Sequence, residues 1–259
     1  MFCDTHAHLD DEQFDATRAD VIQRAWDAGV TAIVTVGITA DSSAANVRLA
    51  QEFPALFGAV GIQPNYVTQA SAGDWDRIIA LAAQPRVVAL GETGLDRYWD
   101  FAPLEVQRDY FDRHLRLAQE RDLPVVIHMR DCAEDVLQML REARQRGPLR
   151  GVMHSFTGDA ETAHQCVDIG LHVSFAGMVT FKKSQALRDV ARTIPGDRIV
   201  IETDSPYLAP EPRRGRQPNE PAWLVHTAAR LAEVCGMDLA SFADRTSANA
   251  ARLFRLPKR

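Results

Sequence analysis

The stretch RIVIETD, residues 198–204, decides the fold because it is the eighth short run of β-branched and apolar residues along the chain. The seven runs before it are MFCDTH, TAIVTVG, LFGAVGI, RVVALGE, LPVVIHM, RGVMHSF and LHVSFAG. Amphipathic helical patterns separate these runs, at 11–28, 42–52, 74–84, 104–121, 133–146, 159–169 and 183–193. Two more helical patterns follow the eighth run, at 221–235 and 238–254.

Strands that alternate with helices of this length build βα units and a parallel sheet. Eight such units predict an α/β fold of the (β/α)8 TIM-barrel type, here with extra C-terminal helices. A doubly wound open sheet is the alternative, and the absence of a glycine fingerprint after the first strand disfavours it. Because a chain of 259 residues has the usual length of one such barrel, we predict a single hydrolase domain over residues 1–259.

Composition limits the classes of function. The chain is 46% hydrophobic and 25% charged, which is typical of a soluble globular protein. No apolar stretch approaches the roughly 18 residues of a membrane span, and the first residues do not resemble a signal peptide. The four cysteines form no CxxC pair, which favours reduced thiols and a cytoplasmic location. The net charge of −6 argues against a broad nucleic-acid-coating surface but allows a local basic groove.

Ionisable side chains recur at the C-terminal ends of the predicted strands. The first strand runs into DTHAHLD, residues 4–10, where His6 and His8 lie two residues apart and point to the same side. Four later strands end in the candidates Glu92, His128, His154 and Asp204. Active sites of such barrels form at the C-terminal ends of the strands, so these side chains should converge above the barrel axis.

Six imidazoles and carboxylates at one point are costly to bury unless a cation is present. The set suits Zn²⁺, Mn²⁺, Fe²⁺ or Ni²⁺, and Mg²⁺ where water and phosphate complete its shell. Two divalent ions about 3.5–4 Å apart, the arrangement used in phosphate ester hydrolysis, fit the number of groups better than one. The assignment is His6, His8 and Asp204 to the first ion, His128 and His154 to the second, and Glu92 as bridge. Asp204 is the candidate general base, so Asp204 and Glu92 are the predicted catalytic residues.

The motifs DTHAHLD, ALGETGLD, PVVIHMRD, MHSFTG, ETDSPYL and NEP occur in this order, and with them the chain resembles the TatD family of metal-dependent deoxyribonucleases. The resemblance covers about residues 2–256. It implies a divalent-metal hydrolase of DNA phosphodiester bonds with metal-activated water as nucleophile, often acting 3′ to 5′ on single strands. It also implies a set of metal ligands: His6, His8, Glu92, His128, His154 and Asp204.

One segment departs from the family pattern. The family commonly has GIHPH after the third strand, whereas this chain has GIQPN, with Gln63 and Asn65 in place of both histidines. Glutamine cannot release a proton at pH 7, but it can donate a hydrogen bond to a phosphate oxygen. We therefore predict that Gln63 binds substrate while Asp204 carries the proton transfer. The change leaves open a subfamily that acts on another ester.

Two arginines are further candidates for substrate binding. Arg130 follows His128 by two residues and can grip a phosphate, or it can pair with Asp131 or Glu202. Arg214 belongs to RRGR within the long loop SPYLAPEPRRGRQPNEP, residues 205–221, whose length favours a functional role over a stiff connector. Placed over the mouth, this loop would contact a sugar-phosphate chain.

Other polar and aromatic residues keep two interpretations. Asp96 can brace a ligand histidine or cap a helix. Tyr98, Trp99 and Tyr207 can stack on bases or can simply pack. Glu202, two residues before Asp204, is expected one layer deeper, where it would anchor a neighbouring cation.

The sequence therefore predicts a metal-dependent nuclease that binds DNA, single-stranded in preference, without membrane association and as a monomer. A deacylase of D-aminoacyl-tRNA, or another ester or amide hydrolase on the same two-metal site, is the alternative enzyme. A metal-holding scaffold without catalysis is the third reading, and it is disfavoured because structural sites use closed ligand sets.

Overall fold

Eight strands alternate with α-helices in the structure, a computed structural model that describes residues 1–257. The strands are β1 (Phe2–Ala7), β2 (Val30–Val36), β3 (Leu56–Val60), β4 (Val87–Asp96), β5 (Val125–Arg130), β6 (Gly151–Met153), β7 (His172–Phe175) and β8 (Ile199–Ile201). The helices are α1 (Arg18–Asp27), α2 (Ala40–Glu52), α3 (Asp74–Leu81), α4 (Leu104–Arg121), α5 (Ala133–Arg146), α6 (Ala160–Ile169), α7 (Gln185–Thr193), α8 (Leu224–Val234) and α9 (Leu239–Phe254). Within residues 1–257, none of the helices has the length and apolar character needed to cross a membrane.

The strands lie in the order β1 to β8, and each is paired in parallel with the next. In a doubly wound sheet the strand order would reverse at a switch point, so this order excludes that alternative. The predicted (β/α)8 barrel followed by C-terminal helices is confirmed.

The barrel closes between β1 and the segment after β8. Asp4 accepts hydrogen bonds from the Thr203 backbone N–H, at 3.0 Å, and from the Thr203 hydroxyl, at 2.6 Å. The Asp204 N–H donates to the His6 carbonyl oxygen at 2.9 Å. These contacts hold His6 and Asp204 side by side, although they are far apart in the sequence.

Apolar side chains fill the barrel interior, which is therefore a packed core. The strands contribute Cys3, Val34, Val36, Ala59, Ala89, Val126, Val152 and Val200, and α9 adds Ala250, Leu253 and Phe254. Because α9 packs against β1 and β8, it belongs to this inner core as well as to the outer layer. This apolar core lies beneath the C-terminal mouth, where the candidate metal ligands are.

The helical pattern expected at 11–28 is interrupted. A short 3-10 helix occupies Glu12–Phe14, and α1 begins only at Arg18. The Asp11 carboxylate accepts the Gln13 N–H at 2.9 Å and starts the 3-10 turn. The Arg18 guanidinium donates to the Leu9 carbonyl oxygen, which ties the start of α1 back to the end of β1. Side-chain to backbone hydrogen bonds of this kind compete with helix formation, which explains the difference.

His114, on α4, should make folding stability depend on pH. It is fully buried: its Nε2 accepts the Ile62 N–H at 3.1 Å and its Nδ1 donates to the Tyr110 carbonyl oxygen at 2.7 Å. Burial lowers the pKa of His114 from 6.5 to about 4. Between these values the unfolded chain binds more protons than the folded chain, so stability falls as the pH drops from 6.5 and is constant above it.

The measurement is urea unfolding of metal-free protein between pH 7.5 and pH 4.5. Wild type should lose more stability on acidification than the His114→Gln variant, by at most about 1.4 kcal/mol per pH unit in that window. Other groups titrate equally in both proteins, so the difference isolates His114. If the free energy of unfolding changes with pH by the same amount in both proteins, His114 is not the group responsible.

Candidate metal centre

All six side chains predicted as metal ligands meet at the mouth of the barrel. His6 lies in β1, Glu92 in β4 and His128 in β5. The other three, His8, His154 and Asp204, lie just beyond β1, β6 and β8. The predicted convergence at the mouth is therefore seen, although Glu92 lies in the middle of β4, which continues to Asp96, and β6 and β8 are shorter than the sequence runs suggested. Five of the six line the floor of a cleft of about 830 Å³, and the sixth, His6, is fully buried beneath it.

One group of donor atoms surrounds the two histidines of the first strand. The Nε2 atoms of His6 and His8 lie 3.1 Å apart. Glu92 Oε2 lies 3.5 Å from His6 Nε2 and 3.7 Å from His8 Nε2. Asp204 Oδ1 lies 3.7 Å and 3.5 Å from the same two nitrogens. Two imidazoles and two carboxylates thus face one point.

A second group shares Glu92 through its other oxygen. Glu92 Oε1 lies 2.8 Å from His128 Nδ1 and 3.1 Å from His154 Nε2. The two histidine nitrogens lie 3.3 Å apart. Glu92 therefore presents one oxygen to each group, which is the position of a bridging ligand.

The outer nitrogens of His8 and His128 donate to fixed acceptors, and that of His154 lies near a carboxylate without a hydrogen bond within residues 1–257. His8 Nδ1 donates to the Val36 carbonyl oxygen at 3.0 Å, and His128 Nε2 donates to Asp96 Oδ2 at 2.9 Å. His154 Nδ1 lies 3.5 Å from Glu202 Oε1. Such partners fix the ring orientation and leave the inner nitrogen free for a metal.

The carboxylates and imidazoles strongly perturb one another. Burial alone would lower the pKa of His8, but the neighbouring Asp204 and Glu92 carboxylates raise it to about 9. Burial opposes ionisation of Glu92, yet His154 and His128 hold the pKa of Glu92 well below its usual range. Burial and the nearby His154 lower the pKa of His6. A cation bound between these groups would favour the ionised carboxylates and the neutral imidazoles that ligate metal.

The donor set fits divalent cations. Within residues 1–257, clusters with metal-ligand spacing are His6, His8 and Glu92; Glu92, His128 and His154; and His6, His154 and Glu202. All donors are nitrogen or oxygen, the chemistry preferred by Zn²⁺ and Mn²⁺ and accepted by Mg²⁺ with water. That the six residues ligate metal, and that two ions bind, stays a prediction.

Asp96 contacts a candidate ligand histidine, as one interpretation of the sequence expected, but it caps a loop turn and not a helix. Its Oδ2 accepts from His128, and its Oδ1 accepts the N–H groups of Tyr98 and Trp99. Asn65 Nδ2 also donates to Asp96 Oδ2, at 3.0 Å. Asn65 thereby reaches a candidate ligand, His128, through Asp96. This link could not be predicted from the sequence, where the only signal is that Asn65 stands at a family histidine position.

Gln63 lines the cleft and is nearly buried. Its Oε1 accepts the Asn65 N–H at 2.8 Å and so caps the short 3-10 helix Pro64–Gln69. The side chain therefore has a structural contact in addition to its predicted contact with substrate.

The two candidate arginines lie on different parts of the rim. Arg130 lines the cleft, and its guanidinium lies 3.8 Å from the centre of the Tyr98 ring. Within residues 1–257, Arg130 forms no ion pair with Asp131 or Glu202, and Glu202 accepts the Ser155 N–H at 2.6 Å. Arg214 lies 4.1 Å from the centre of the Phe181 ring. It stands outside the described residues that line the cleft, on the loop that continues from Leu208.

A sequence model described as TatD related DNase matches residues 3–255. The chain belongs to the TatD family. A Bacillus subtilis (strain 168) relative, named uncharacterized metal-dependent hydrolase YabD, is 40% identical over 99% of this chain and 100% of its own. The protein named 3'-5' ssDNA/RNA exonuclease TatD of Shigella flexneri is 36% identical over 97% of this chain and 98% of its own.

Among solved structures, the crystal structure of the TatD homologue YJJV of Escherichia coli K12 is similar. It superposes with a TM-score of 0.93 at 29% identity, covering 99% of this chain and 98% of that chain. The resemblance to the TatD family is therefore confirmed over nearly the whole chain, as is membership of a family of metal-dependent hydrolases.

Asp96 offers a test of the partners around the TatD-family site. Asp96→Asn keeps an acceptor oxygen for the loop N–H groups but removes the negative charge from His128. We expect the affinity for one bound ion to fall about 10- to 100-fold, as is typical when a partner of a ligand histidine is lost. Titration of metal-free protein with Mn²⁺ measures it. Asp100→Asn, an exposed change in the same loop, should leave the affinity unchanged. Equal affinities for all three proteins would contradict the role of Asp96.

Proposed function

We propose that the protein is a divalent-metal-dependent phosphodiesterase that degrades single-stranded DNA from its 3′ end. The observation that carries this proposal is the position of Glu92, whose two oxygens face two separate groups of histidines. Two cations about 3.5–4 Å apart, bridged by one carboxylate, serve the hydrolysis of phosphate esters. Relatives named 3'-5' ssDNA/RNA exonuclease support the substrate class and add RNA to the substrates to be tested.

The cations, when bound, would polarise the scissile phosphate and lower the pKa of water. His6, His8 and Asp204 would hold one ion, His128 and His154 the other, and Glu92 both. The side chain of Asp204 is mostly buried and its residue lines the cleft, so its carboxylate can accept a proton from the attacking water.

Two residues on the cleft wall would orient the substrate. The Gln63 side-chain amide can donate to a phosphate oxygen, and the Arg130 guanidinium can hold a second one. Neither residue exchanges a proton at neutral pH, so proton transfer is assigned to Asp204. We further propose that residues 1–259 form one domain and act as a cytoplasmic monomer, in keeping with the absence of disulfides within residues 1–257.

The test is one series of incubations. Metal-stripped protein is reloaded with Mg²⁺, Mn²⁺ or Zn²⁺ and given labelled single-stranded DNA, RNA, duplex DNA and D-aminoacyl-tRNA. We expect stepwise shortening of single-stranded DNA from the 3′ end, abolished by Glu92→Ala. Cleavage by that variant at the wild-type rate would point to a contaminating nuclease, and deacylation without DNA cleavage would overturn the proposal.

Replacing Gln63 by histidine, the residue common in the family, should raise the phosphodiesterase rate. Histidine adds a group that can donate and accept protons at neutral pH. We expect an increase on the order of 10-fold, below the 10²-fold or more of a fully positioned acid or base. Steady-state rates on a short oligonucleotide measure it, with Gln63→Asn as the non-titrating control. No gain, or a loss, would mean that the glutamine is adapted to this protein's own substrate.

A further inference from the structure

A group of cations lies on the rim next to β7 and β8, and we call it the basic rim: Lys182, Lys183, Arg214 and Arg216. All four are exposed, and none forms an ion pair within the described residues 1–257. Most arginines of this acidic chain are paired with carboxylates, so an unpaired group stands out. The rim is thus a local positive surface on a protein of net charge −6.

The backbone that carries the basic rim is held in place. The Arg188 guanidinium donates to the carbonyl oxygens of Val179 and Phe181, at 2.9 and 2.8 Å. The Glu211 N–H donates to the Thr180 hydroxyl at 2.8 Å, which joins the loop after β8 to the turn after β7. Arg214 stacks on Phe181 across the same junction. The backbone segments after β7 and β8 that carry the cations are therefore fixed, and we call them the ledge. Little backbone order would be lost when a ligand binds there.

The ledge is continuous with the cleft. Met178 and Leu208 line the cleft, and each begins the short segment that leads to the basic rim. The two segments contact each other closely at Gly177, where even a Cβ atom would collide with the Leu208 carbonyl oxygen. A polynucleotide strand that leaves the metal centre on this side would pass directly over the cations of the basic rim.

Exposed aromatic rings lie on the opposite wall, and we call them the aromatic face: Tyr98, Trp99 and Phe101. Their exposed fractions are 53%, 44% and 59%. The rings of Trp99 and Phe101 are parallel within 5°, with centres 5.3 Å apart, and both residues line the cleft. Because β4 and β8 lie four strands apart in the barrel, the loops that follow them face each other across the mouth.

We propose that one single-stranded polynucleotide spans the mouth, with an unpaired base on the aromatic face and its phosphates on the basic rim. This deepens, and rests on, the proposed function, since the scissile phosphate would lie between the two surfaces at the metal centre. Aromatic rings stack on any base, and cations follow a phosphate chain without reading sequence. The site therefore favours strands of several nucleotides without sequence preference. A paired base is stacked inside a helix and cannot reach the aromatic face, so duplexes bind less well.

Binding can be measured without cleavage. Metal-free protein in EDTA is titrated into labelled single-stranded DNA of 5 or 20 nucleotides at several salt concentrations, and Kd is read from fluorescence anisotropy. The combined change Lys182→Gln, Lys183→Gln and Arg216→Gln should weaken binding of the 20-mer and lower the slope of log Kd against log salt by about 2. Trp99→Ala with Phe101→Ala should raise Kd about 5- to 100-fold without changing that slope.

The matched control removes the same charge elsewhere. Arg48→Gln, Arg144→Gln and Arg245→Gln replace three exposed, unpaired arginines distant from the ledge, and this variant should keep the wild-type slope. Lys182→Arg with Lys183→Arg should bind as wild type does, which separates loss of charge from loss of structure.

Three results would overturn the inference: an equal fall in slope for the control variant, duplex DNA bound as tightly as single strands, or the basic rim binding anionic vesicles but not DNA. Failure of the proposed function looks different. In that case the two surfaces bind single strands in EDTA, but protein loaded with metal does not shorten them. If metal-loaded protein shortens single-stranded DNA, but the basic-rim and aromatic-face variants keep the wild-type slope and Kd, only the inference is contradicted.

Discussion

The Glu92→Gln variant should bind one ion per chain in place of the two proposed, and it should lose almost all hydrolytic activity. Glutamine has nearly the same shape, but its neutral amide offers a single weak oxygen where the carboxylate faces both groups of histidines. Loss of the shared ligand removes the charge stabilisation that both cations provide together. We expect kcat/KM to fall on the order of 10³-fold.

Two measurements on the same sample check this result. Metal content per chain is determined by mass spectrometry after gel filtration, and initial rates are determined on single-stranded DNA. Glu134→Gln, the same chemical change on the exposed face of α5, should retain both ions and the full rate. A Glu92→Gln variant with two ions and wild-type activity would show that Glu92 does not bridge a catalytic pair.

The Asp204→Asn variant will retain more of its metal but will also be strongly impaired. The backbone at Asp204 has a φ of 54°, a conformation that asparagine adopts more readily than most residues, so the fold should be kept. Asparagine still offers an oxygen towards His6 and His8, but it cannot accept the proton of the attacking water. We expect kcat to fall by about 10²- to 10⁴-fold, the usual contribution of a general base, with a smaller change in metal content.

Asp131→Asn is the matched control for this variant. Asp131 directly follows β5 and has a φ of 56°, yet it is exposed and stands outside the described residues that line the cleft. Its replacement should change neither kcat nor metal content. If Asp204→Asn retains the wild-type kcat, proton acceptance has been assigned to the wrong residue.

The barrel and the convergence of the ligands could be predicted because both follow from local patterns. Alternating strands and helices define βα units, and a histidine or carboxylate at a strand end must point to the mouth. The meeting of His128 with Glu92, for example, was predicted from their positions in the strands, although β4 continues past Glu92 to Asp96.

Contacts between distant segments could not be predicted in this way. Glu202 was expected one layer below Asp204, but β8 ends at Ile201, and Glu202 reaches the Ser155 N–H and the side of His154. Asn65 contacts Asp96 only because the capped turn after β3 lies beside the end of β4. Such contacts depend on where strands end and how loops turn. The hydrophobic periodicity of strands (two residues) and helices (3.6 residues) carries no information about either.

The closing contact between β1 and the segment after β8 has a consequence for biosynthesis. His6 leaves the ribosome nearly two hundred residues before Asp204, and the first ion of the proposed pair would need both. A nascent chain, or one released prematurely before Asp204, therefore has no complete first site, however well its early strands fold. A metal-dependent hydrolase built in this way would lack its complete site until its synthesis is almost finished.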